Sequence, residues 1–477
     1  MKLKKLLALS TATVLAFTVV GCGSSSSNKT NNSAAGTEKA AAGTEASGSS
    51  DLSYANIELG KTYTDVSTTI KFLTHKTDML QDDYKGTTWK KYIAEFNKLY
   101  PNIKVEVEGI KNYADDALLR LQGGNWGDVM MIPAVDKKDL STYFLSYGDI
   151  DTMSKQIRYA HTWEYDKQVF GIPSNGTAQG LVYNKKVFEA AGITTLPKTP
   201  EEFIQDLQAI KDKTDATPLY TNYAAGWTMG AWDAYIAGNS VGSTTYMNQT
   251  LLHSENPFKN YNDDAHPYSV YKILYDATNK KLIEDDYSTT DWEGCKGMMN
   301  SGKIGVMALG SWAYSQIAGA GANAADIGYM PFPITVNGKQ YATSGGDYSY
   351  GISAKSSKEN QEASMVFVKW MTEKSGFAFN EGCIPTALSD NTFPDVYSSF
   401  KDVTLVTDDP AVAGEEDLLN KLNTTSELNV NNGGNDKIQA IIEHAANNDE
   451  SFDDIMKDWN QKWSDAQKEN DVKVTEK

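Results

Sequence analysis

The sequence contains few of the residues from which disulfide scaffolds and metal sites are built. Its 477 residues include three cysteines and five histidines, and three cysteines are too few for a disulfide framework. The histidines lack the His-Glu-x-x-His spacing of zinc proteases, and no phosphate-binding loop ending in Gly-Lys-Ser/Thr occurs. Cys295 and Cys383 can pair or remain small buried side chains, and the sequence leaves both open. We therefore expect no metal and no cofactor.

Positive charge is scarce as well. The chain has 44 Lys and Arg against 62 Asp and Glu, which gives a formal net charge of −18. Residues 1–21 contain three lysines and no acid, so the chain without them carries −18 − 3 = −21. A protein this acidic repels phosphate backbones, and we expect no nucleic acid among its partners.

Long apolar runs are missing except at the amino terminus. Three lysines within the first five residues precede an apolar stretch, 6–20, that several hydroxyl residues interrupt. A positive head followed by a short apolar region is typical of a secretion signal, whereas a transmembrane helix needs roughly 20 apolar residues. The stretch therefore predicts a signal peptide and not a permanent membrane span.

The signal ends in Val19-Val20-Gly21-Cys22, which resembles the lipobox of bacterial lipoproteins. In that family the cysteine becomes the first mature residue and carries palmitate or other acyl chains, and more than one chain gives stable anchoring. The resemblance implies a signal peptide over 1–21 and attachment through Cys22 to the extracellular face of the cell membrane, in a Gram-positive cell. Residues 22–56, rich in Ser, Gly, Ala and Thr, predict a lipidated, flexible linker.

The body that follows has the pattern of an α/β protein. It holds about 420 residues, more than one hydrophobic core usually contains, so two lobes are expected. Trp89, Tyr92 and Phe96 recur every three or four residues and predict an amphipathic helix. The apolar run 127–134 predicts a strand buried on both faces. Strand-like and helix-like segments alternate around them, which predicts an α/β lobe.

Aromatic residues are abundant, with 26 Tyr, 15 Phe and 10 Trp. Some of them must fill the core. Others can offer flat apolar faces on which pyranose rings stack, while their polar tips form hydrogen bonds. In an acidic protein, a surplus of Trp and Tyr therefore favours a carbohydrate ligand.

Seven segments between residues 69 and 463 resemble family 1 extracellular solute-binding proteins, the receptors of ABC sugar importers, similar to maltose- and multiple-sugar-binding proteins. Pro200 stands where that family usually has Trp, and Val306 where it usually has Met. The segments follow the family's order and read GDVMMIP, VFGIPSNGTAQGLVYNKKVFEAAGI, LPKTPEEF, SGKIGVMALGSW, IGYMPFP, SGGDYSYGISAKSSKENQEASMVFVKWM and CIPT.

The resemblance implies a fold and a function. The fold is α/β, a two-lobed periplasmic-binding-protein-like fold (type II) with a hinge and an interlobe ligand cleft. The first lobe would hold 57–177 and 346–405, and the second 178–345 and 406–477. The chain would be a monomeric, lipid-anchored receptor, not an enzyme. It would bind a carbohydrate, expected to be an oligosaccharide, and deliver it to permease subunits on separate chains.

The resemblance also places binding residues on loops that face the cleft, and open α/β sheets favour ligands at the carboxyl ends of their strands. Trp227 and Trp312 are expected to stack on sugar rings, and the charged and amide side chains to bond hydroxyl groups. The expected ligand-binding residues are His75, Lys76, Asp78, Asp136, Asn175, Thr177, Tyr223, Trp227, Trp312, Asp347 and Tyr348.

Other functions are weighed against this one. Gly238 to Gly242 reads GNSVG and fits the nucleophile-elbow pattern, but the segment before Ser240 predicts a helix where an elbow requires a strand. A lipid-anchored glycoside hydrolase would need two carboxylates across the scissile bond, and 62 acidic residues leave such a pair open. A binding protein for a peptide, a polyamine or iron also remains an alternative.

Overall fold

A computed structural model describes residues 52–431 and 435–476. The signal sequence, Cys22 and nearly all of the linker lie outside these residues. Residues 50–477 form one compact unit.

The strands are β1 (Thr68–Thr74), β2 (Ile103–Gly109), β3 (Val129–Met131), β4 (Gly148–Asp149), β5 (Glu164–Tyr165), β6 (Gln168–Val169), β7 (Ile172–Pro173), β8 (Gly176–Asn184), β9 (Thr217–Leu219), β10 (Ile304–Gly310), β11 (Ile327–Pro331), β12 (Tyr341–Gly346), β13 (Ser349–Ile352) and β14 (Thr404–Val406). The α-helices are α1 (Trp89–Phe96), α2 (Tyr113–Gly123), α3 (Leu140–Tyr143), α4 (Ile150–Met153), α5 (Lys185–Ala191), α6 (Pro200–Lys213), α7 (Gly238–Val241), α8 (His266–Asn279), α9 (Trp292–Asn300), α10 (Ala313–Gly319), α11 (Lys358–Glu373), α12 (Phe377–Asn380), α13 (Leu418–Ser426), α14 (Asp436–Asn447) and α15 (Phe452–Glu469).

The first sheet has the order β2-β1-β3-β13-β7. β1 pairs with β2 and β3 in parallel, whereas β13 is antiparallel to β3 and β7. All three residues of β3 are buried, as its apolar sequence predicts. The predicted helix α1 buries Trp89, Tyr92 and Phe96 against this sheet, and Thr88 caps it by accepting the Lys91 N–H. Periodicity and capping thus fix which face of the helix meets the core.

The second sheet has the order β14-β12-β8-β10-β9, with β11 also paired to β8. Hydrophobic clusters cover both of its faces, and α14 and α15 pack into the larger one. Helix α6 begins with Pro200, and the hydroxyl of Thr199 accepts the Glu202 N–H at 3.2 Å. The side chain of Glu202 accepts the Lys198 N–H at 2.7 Å, so the Thr-x-x-Glu signal forms a capping arrangement.

The chain passes between the sheets at three segments. β7 runs into β8, β12 runs into β13, and a third segment leads from the first core at Phe377 to the second at Ile384. Tyr159 hydrogen-bonds Ser344 at 2.6 Å, while Arg158 donates to three carbonyl oxygens within 385–390, each at 2.9 Å. The consecutive side chains of Arg158 and Tyr159 thus bond the segment that follows the third crossing and the crossing strand β12, respectively.

The sequence also raised questions of boundaries and cysteine pairing. The predicted lobe limits gave 346–405 to the first lobe, and the structure packs Tyr397 and Phe400 against the second sheet, where β14 pairs with β12. Cys295 and Cys383 are both free and buried. Across the described ranges, no helix is long and apolar enough to cross a membrane.

Candidate functional site

The topology brings several strand ends to the crossing segments. Parallel β1 and β3 end beside the start of β13, and β10, which is parallel to β9, ends beside the start of β8. The residue after β10, Ser311, exchanges hydrogen bonds with the backbone of Ala178. Polar and aromatic residues that follow these strands therefore gather at one region of the molecule, as is usual for ligand sites of α/β sheets.

His75 follows β1 and is held between two tyrosines. Its ring lies 4.5 Å from that of Tyr348 at a small tilt, and 5.8 Å from that of Tyr113 edge-on. Burial lowers the pKa of His75 to about 4; Lys76 adds to this shift and Asp347 opposes it. His75 is thus neutral at pH 7, and its buried Nδ1 has no hydrogen-bond partner.

Lys76 forms a partly buried charged cluster with Glu381 and Tyr84. Its Nζ lies 3.3 Å from Glu381 Oε2, and the Tyr84 hydroxyl donates to the same carboxylate at 3.0 Å. Burial lowers the pKa of Lys76, but the carboxylate of Glu381 raises it and the net shift is upward. We call these three residues the Lys76 cluster. It offers ammonium protons and carboxylate oxygens side by side, which suits adjacent hydroxyl groups.

The crossing strands add an amide and a carboxylate. The side-chain amide of Asn175 donates to the Asp347 carboxylate at 3.4 Å, and the backbone N–H of Asp347 donates to the backbone carbonyl of Asn175 at 2.9 Å. Asn175 is 1% exposed, yet its Oδ1 has no partner. A buried amide oxygen without a donor is costly, and this atom and His75 Nδ1 are two such buried atoms without a protein partner.

Three tryptophans form a second group, associated with the second sheet. Trp312 follows β10, Trp227 lies on the turns after β9, and Trp292 begins α9. Their ring centroids lie 5.2 Å apart for Trp227 and Trp292, and 5.8 Å for each of the other two pairs. We call these residues the indole cluster. Trp227 remains 53% exposed, so the cluster leaves apolar ring surface uncovered.

Comparison with known proteins decides the family. The model of a family described as bacterial extracellular solute-binding protein matches residues 82–376, more than half of the chain. This chain belongs to that family. It is therefore a solute-binding protein and not an enzyme, and its family implies an extracellular place of action. The predicted resemblance is confirmed.

Solved structures agree with this result. The solute-binding protein is 52% identical to BlMnBP2 of Bifidobacterium animalis subsp. lactis, a manno-oligosaccharide-specific protein solved with mannotriose, over 88% of this chain and 99% of that chain, with a TM-score of 0.82. It is 56% identical to BlMnBP1 of the same organism, an ABC-transporter binding protein solved with mannobiose, with the same coverage and TM-score. The predicted two-lobed α/β fold is confirmed.

A curated relative matches over a shorter stretch. The diacetylchitobiose binding protein DasA of Streptomyces coelicolor is 45% identical over 56 residues. That stretch is 12% of this solute-binding protein and 13% of DasA, so it adds support for the family and carries no conclusion about the ligand.

The structure gathers most of the predicted site residues and sets some apart. His75, Lys76, Asn175, Asp347 and Tyr348 lie together at the ends of the first-sheet strands, and Trp227 and Trp312 lie in the indole cluster. The remaining residues have other contacts. Buried Thr177 lies in β8 with its carbonyl bonded to Ser344, the exposed Asp78 caps the Met79 N–H, the exposed Asp136 pairs with Lys138 at 3.0 Å, and the Tyr223 hydroxyl donates to Glu443.

The sequence did not single out Tyr84, Trp292, Glu381 and Asn435. Trp292 follows a polar segment and gives no pattern of its own, and Glu381 lies 305 residues from Lys76 along the chain. Asn435 has an unpartnered side-chain oxygen beside the Trp227 turns. Only a family alignment or the fold itself connects such residues.

The structure offers no support for the enzyme patterns. Ser240 lies in the single helical turn α7, and its buried hydroxyl donates to the Ile236 carbonyl at 2.9 Å. That environment lacks the strand-to-helix turn of a nucleophile elbow. Within 52–431 and 435–476, no group of three His, Cys, Asp or Glu side chains is arranged to hold a metal ion.

Glu284 makes the stability of the protein depend on pH. Its carboxylate accepts the N–H and the hydroxyl of Thr221 without a cation beside it, and burial raises its pKa to about 7. A carboxyl whose folded pKa is raised stabilises the fold at low pH and loses that contribution as pH rises through about 7. We expect Glu284→Gln to raise the free energy of unfolding at pH 8 by about 1–3 kcal/mol, with little effect at pH 4.

Urea titrations at pH 4, 6 and 8 measure this difference. The exposed Glu106 on β2 provides the control. Glu106→Gln should change the free energy of unfolding by the same amount at all three pH values. An offset for Glu284→Gln that does not grow with pH would show that Glu284 is not the group responsible.

Proposed function

We propose that this chain is a lipid-anchored receptor of an ABC importer that binds a manno-oligosaccharide and delivers it to a permease on separate chains. The observation that carries the ligand class is the indole cluster, since three adjacent indoles, one of them exposed, can offer apolar faces to the rings of a short saccharide. Relatives 52% and 56% identical, solved with mannotriose and mannobiose, support mannose as the sugar.

In this proposal the indole cluster and the polar residues around Lys76 contact different parts of the sugar. The indole cluster offers apolar area to the ring faces of the sugar. The Lys76 cluster, Asn175 and Asp347 offer donors and acceptors to its hydroxyl groups, and neutral His75 can accept or donate through Nδ1 depending on its tautomer. Closure of the lobes would bring both groups of residues into contact with one ligand. The ligand shifts the equilibrium between the open and the closed form only if it binds the closed form more tightly.

Anchoring and lobe limits belong to the same proposal. The lipobox-like ending at Cys22 and the low-complexity segment after it support a tethered receptor, since several acyl chains anchor a protein stably. The crossing segments at 173–176 and 346–349 support lobe boundaries close to 177 and 346.

Calorimetric titration of residues 50–477, which form one compact unit, tests the ligand class. We expect mannobiose and mannotriose to bind and to be recovered intact, while cellotriose and maltotriose bind more weakly. Tighter binding of another sugar would replace mannose but keep the carbohydrate. Absence of binding to any saccharide, or cleavage of the one that binds, would refute the proposal.

Gly310 allows Trp312 to adopt its position. A Cβ at residue 310 would lie 2.6 Å from Trp312 Nε1 and 2.7 Å from Cδ1, so Gly310→Ala must displace the indole. We expect mannotriose affinity to fall roughly three- to thirtyfold, which corresponds to about 0.7–2 kcal/mol. Gly319→Ala is the control, since a Cβ at residue 319 meets nothing within 4 Å. Equal affinities for the two variants would contradict the proposed role of the Trp312 position.

A further inference from the structure

The segment that carries Trp227 has little support of its own. Residues 223–231 form two short 3-10 turns joined by a kink at Ala225, and Asn222 before them has φ 59°. Trp227 is 53% exposed, so the indole face that would meet a sugar is not fixed by burial. Contacts from other elements must determine where this segment lies.

One such element is helix α14, near the carboxyl end of the chain. Gln439 and Glu443 are four residues apart and therefore share one face of the helix. The Gln439 Nε2 donates to the Tyr223 carbonyl at 2.8 Å, and the Tyr223 hydroxyl donates to Glu443. Tyr223, which lies four residues before Trp227, is thus hydrogen-bonded to α14 through both its backbone carbonyl and its side chain.

The segment between α8 and α9 holds the other side. The ring of Tyr287 lies 4.8 Å from that of Tyr223, edge-on, and the Thr290 hydroxyl accepts the Ala224 N–H at 2.7 Å. Tyr223 is therefore fixed between α14 and the segment that leads into Trp292, which is itself part of the indole cluster. Any shift of Tyr223 moves Trp227 relative to Trp292.

We infer that Gln439 and Glu443 are positioning residues for ligand binding, which act through Tyr223 to hold Trp227 in the indole cluster. The inference rests on the proposed function for its ligand, a manno-oligosaccharide. The two residues lie on a helix distant in sequence from both tryptophans and do not contact the indole rings in any hydrogen bond of the structure. Their effect is expected on affinity more than on global stability.

Two substitutions test the inference. Gln439→Met keeps the size of the side chain and removes its donor, and Glu443→Ala removes the acceptor of the Tyr223 hydroxyl. Loss of one such hydrogen bond should weaken mannotriose binding roughly three- to tenfold. Glu443→Gln keeps an acceptor oxygen and should bind nearly as well as the native protein. Asn447→Ala, an exposed change on the same helix, is the control and should leave affinity unchanged.

A second readout is independent of ligand. Near-ultraviolet circular dichroism of the ligand-free protein is sensitive to the mutual geometry of neighbouring indoles, and acrylamide quenching reports the exposure of the tryptophans, of which Trp227 is the most exposed. We expect both to change in Gln439→Met and Glu443→Ala, while far-ultraviolet dichroism and the melting temperature stay close to native. If Gln439→Met does not fold, the comparison of Glu443→Ala with Glu443→Gln is sufficient to test the inference.

The outcomes separate the two proposals. Binding by the native protein with unchanged affinity in both variants overturns the positioning role. Weaker binding that Glu443→Gln fails to restore also overturns it, because general damage to α14 would then explain the loss. If the native protein binds no manno-oligosaccharide, the proposed function fails, and unchanged indole spectra in the variants would overturn the positioning role separately.

Discussion

Replacing Trp312 with alanine should weaken mannotriose binding by about 1–3 kcal/mol, or roughly 5- to 150-fold. Trp312 contacts both other members of the indole cluster, at 5.8 Å in each case. Its removal takes away one ring face and the support of two more. Calorimetric titration of the variant against the native protein measures the loss.

Trp163→Phe provides the control, since Trp163 packs with the first core and lies outside the indole cluster. It should bind mannotriose as tightly as the native protein. The melting temperature without ligand should be compared as well, because Trp312 also packs at the edge of a core cluster. Unchanged affinity in Trp312→Ala would remove the indole cluster from the ligand site and with it the main support for a sugar ligand.

Replacing Lys437 with methionine should destabilise the protein by about 3–5 kcal/mol. Lys437 pairs with Asp233 in the core of the second lobe, where the Asp233 side chain is 1% exposed. Without the ammonium, the buried carboxylate keeps only the Tyr271 hydroxyl at 2.7 Å and the Asn431 N–H at 2.9 Å. An uncompensated charge in an apolar environment is costly, and urea denaturation should show the loss.

The exposed Lys457 on α15 allows a matched control. Lys457→Met should change the free energy of unfolding by no more than about 0.5 kcal/mol. A double variant, Asp233→Asn with Lys437→Met, should recover part of the loss because no buried charge remains. Similar stabilities for the Lys457 and Lys437 variants would mean that Asp233 is compensated by other groups.

Local features of the fold were predictable because they depend on neighbours in sequence. The buried strand β3 shows itself as an apolar run, and α1 as a three-to-four repeat of aromatic residues. Thr199 and Glu202 marked the start of α6, and the structure confirms their capping bonds. In each case a short stretch of sequence contains all the residues whose interactions determine the local structure.

The candidate site was predictable only in part, because its residues come from parts of the chain that are far apart in sequence. The resemblance to solute-binding proteins, together with the preference of ligands for strand ends, pointed to His75 and Lys76, and the resemblance alone to Trp312. The partner of Lys76, Glu381, follows a short helix and shows no sign of a binding residue. The family resemblance placed Tyr223 at the cleft, and in the structure its hydroxyl donates to Glu443. Side-chain direction in a loop depends on packing that a single sequence does not reveal.

The position of β13 has a consequence for biosynthesis. This strand lies between β3 and β7 in the first sheet, although 217 residues lie between the last residue of β3, Met131, and the first residue of β13, Ser349. At roughly 5–20 residues per second, a ribosome needs on the order of 10–40 s to make that interval. The other four strands of the sheet are therefore made before β13, which pairs with two of them, and a nascent chain halted before Ser349 would leave the facing edges of β3 and β7 unpaired and exposed to chaperones and proteases.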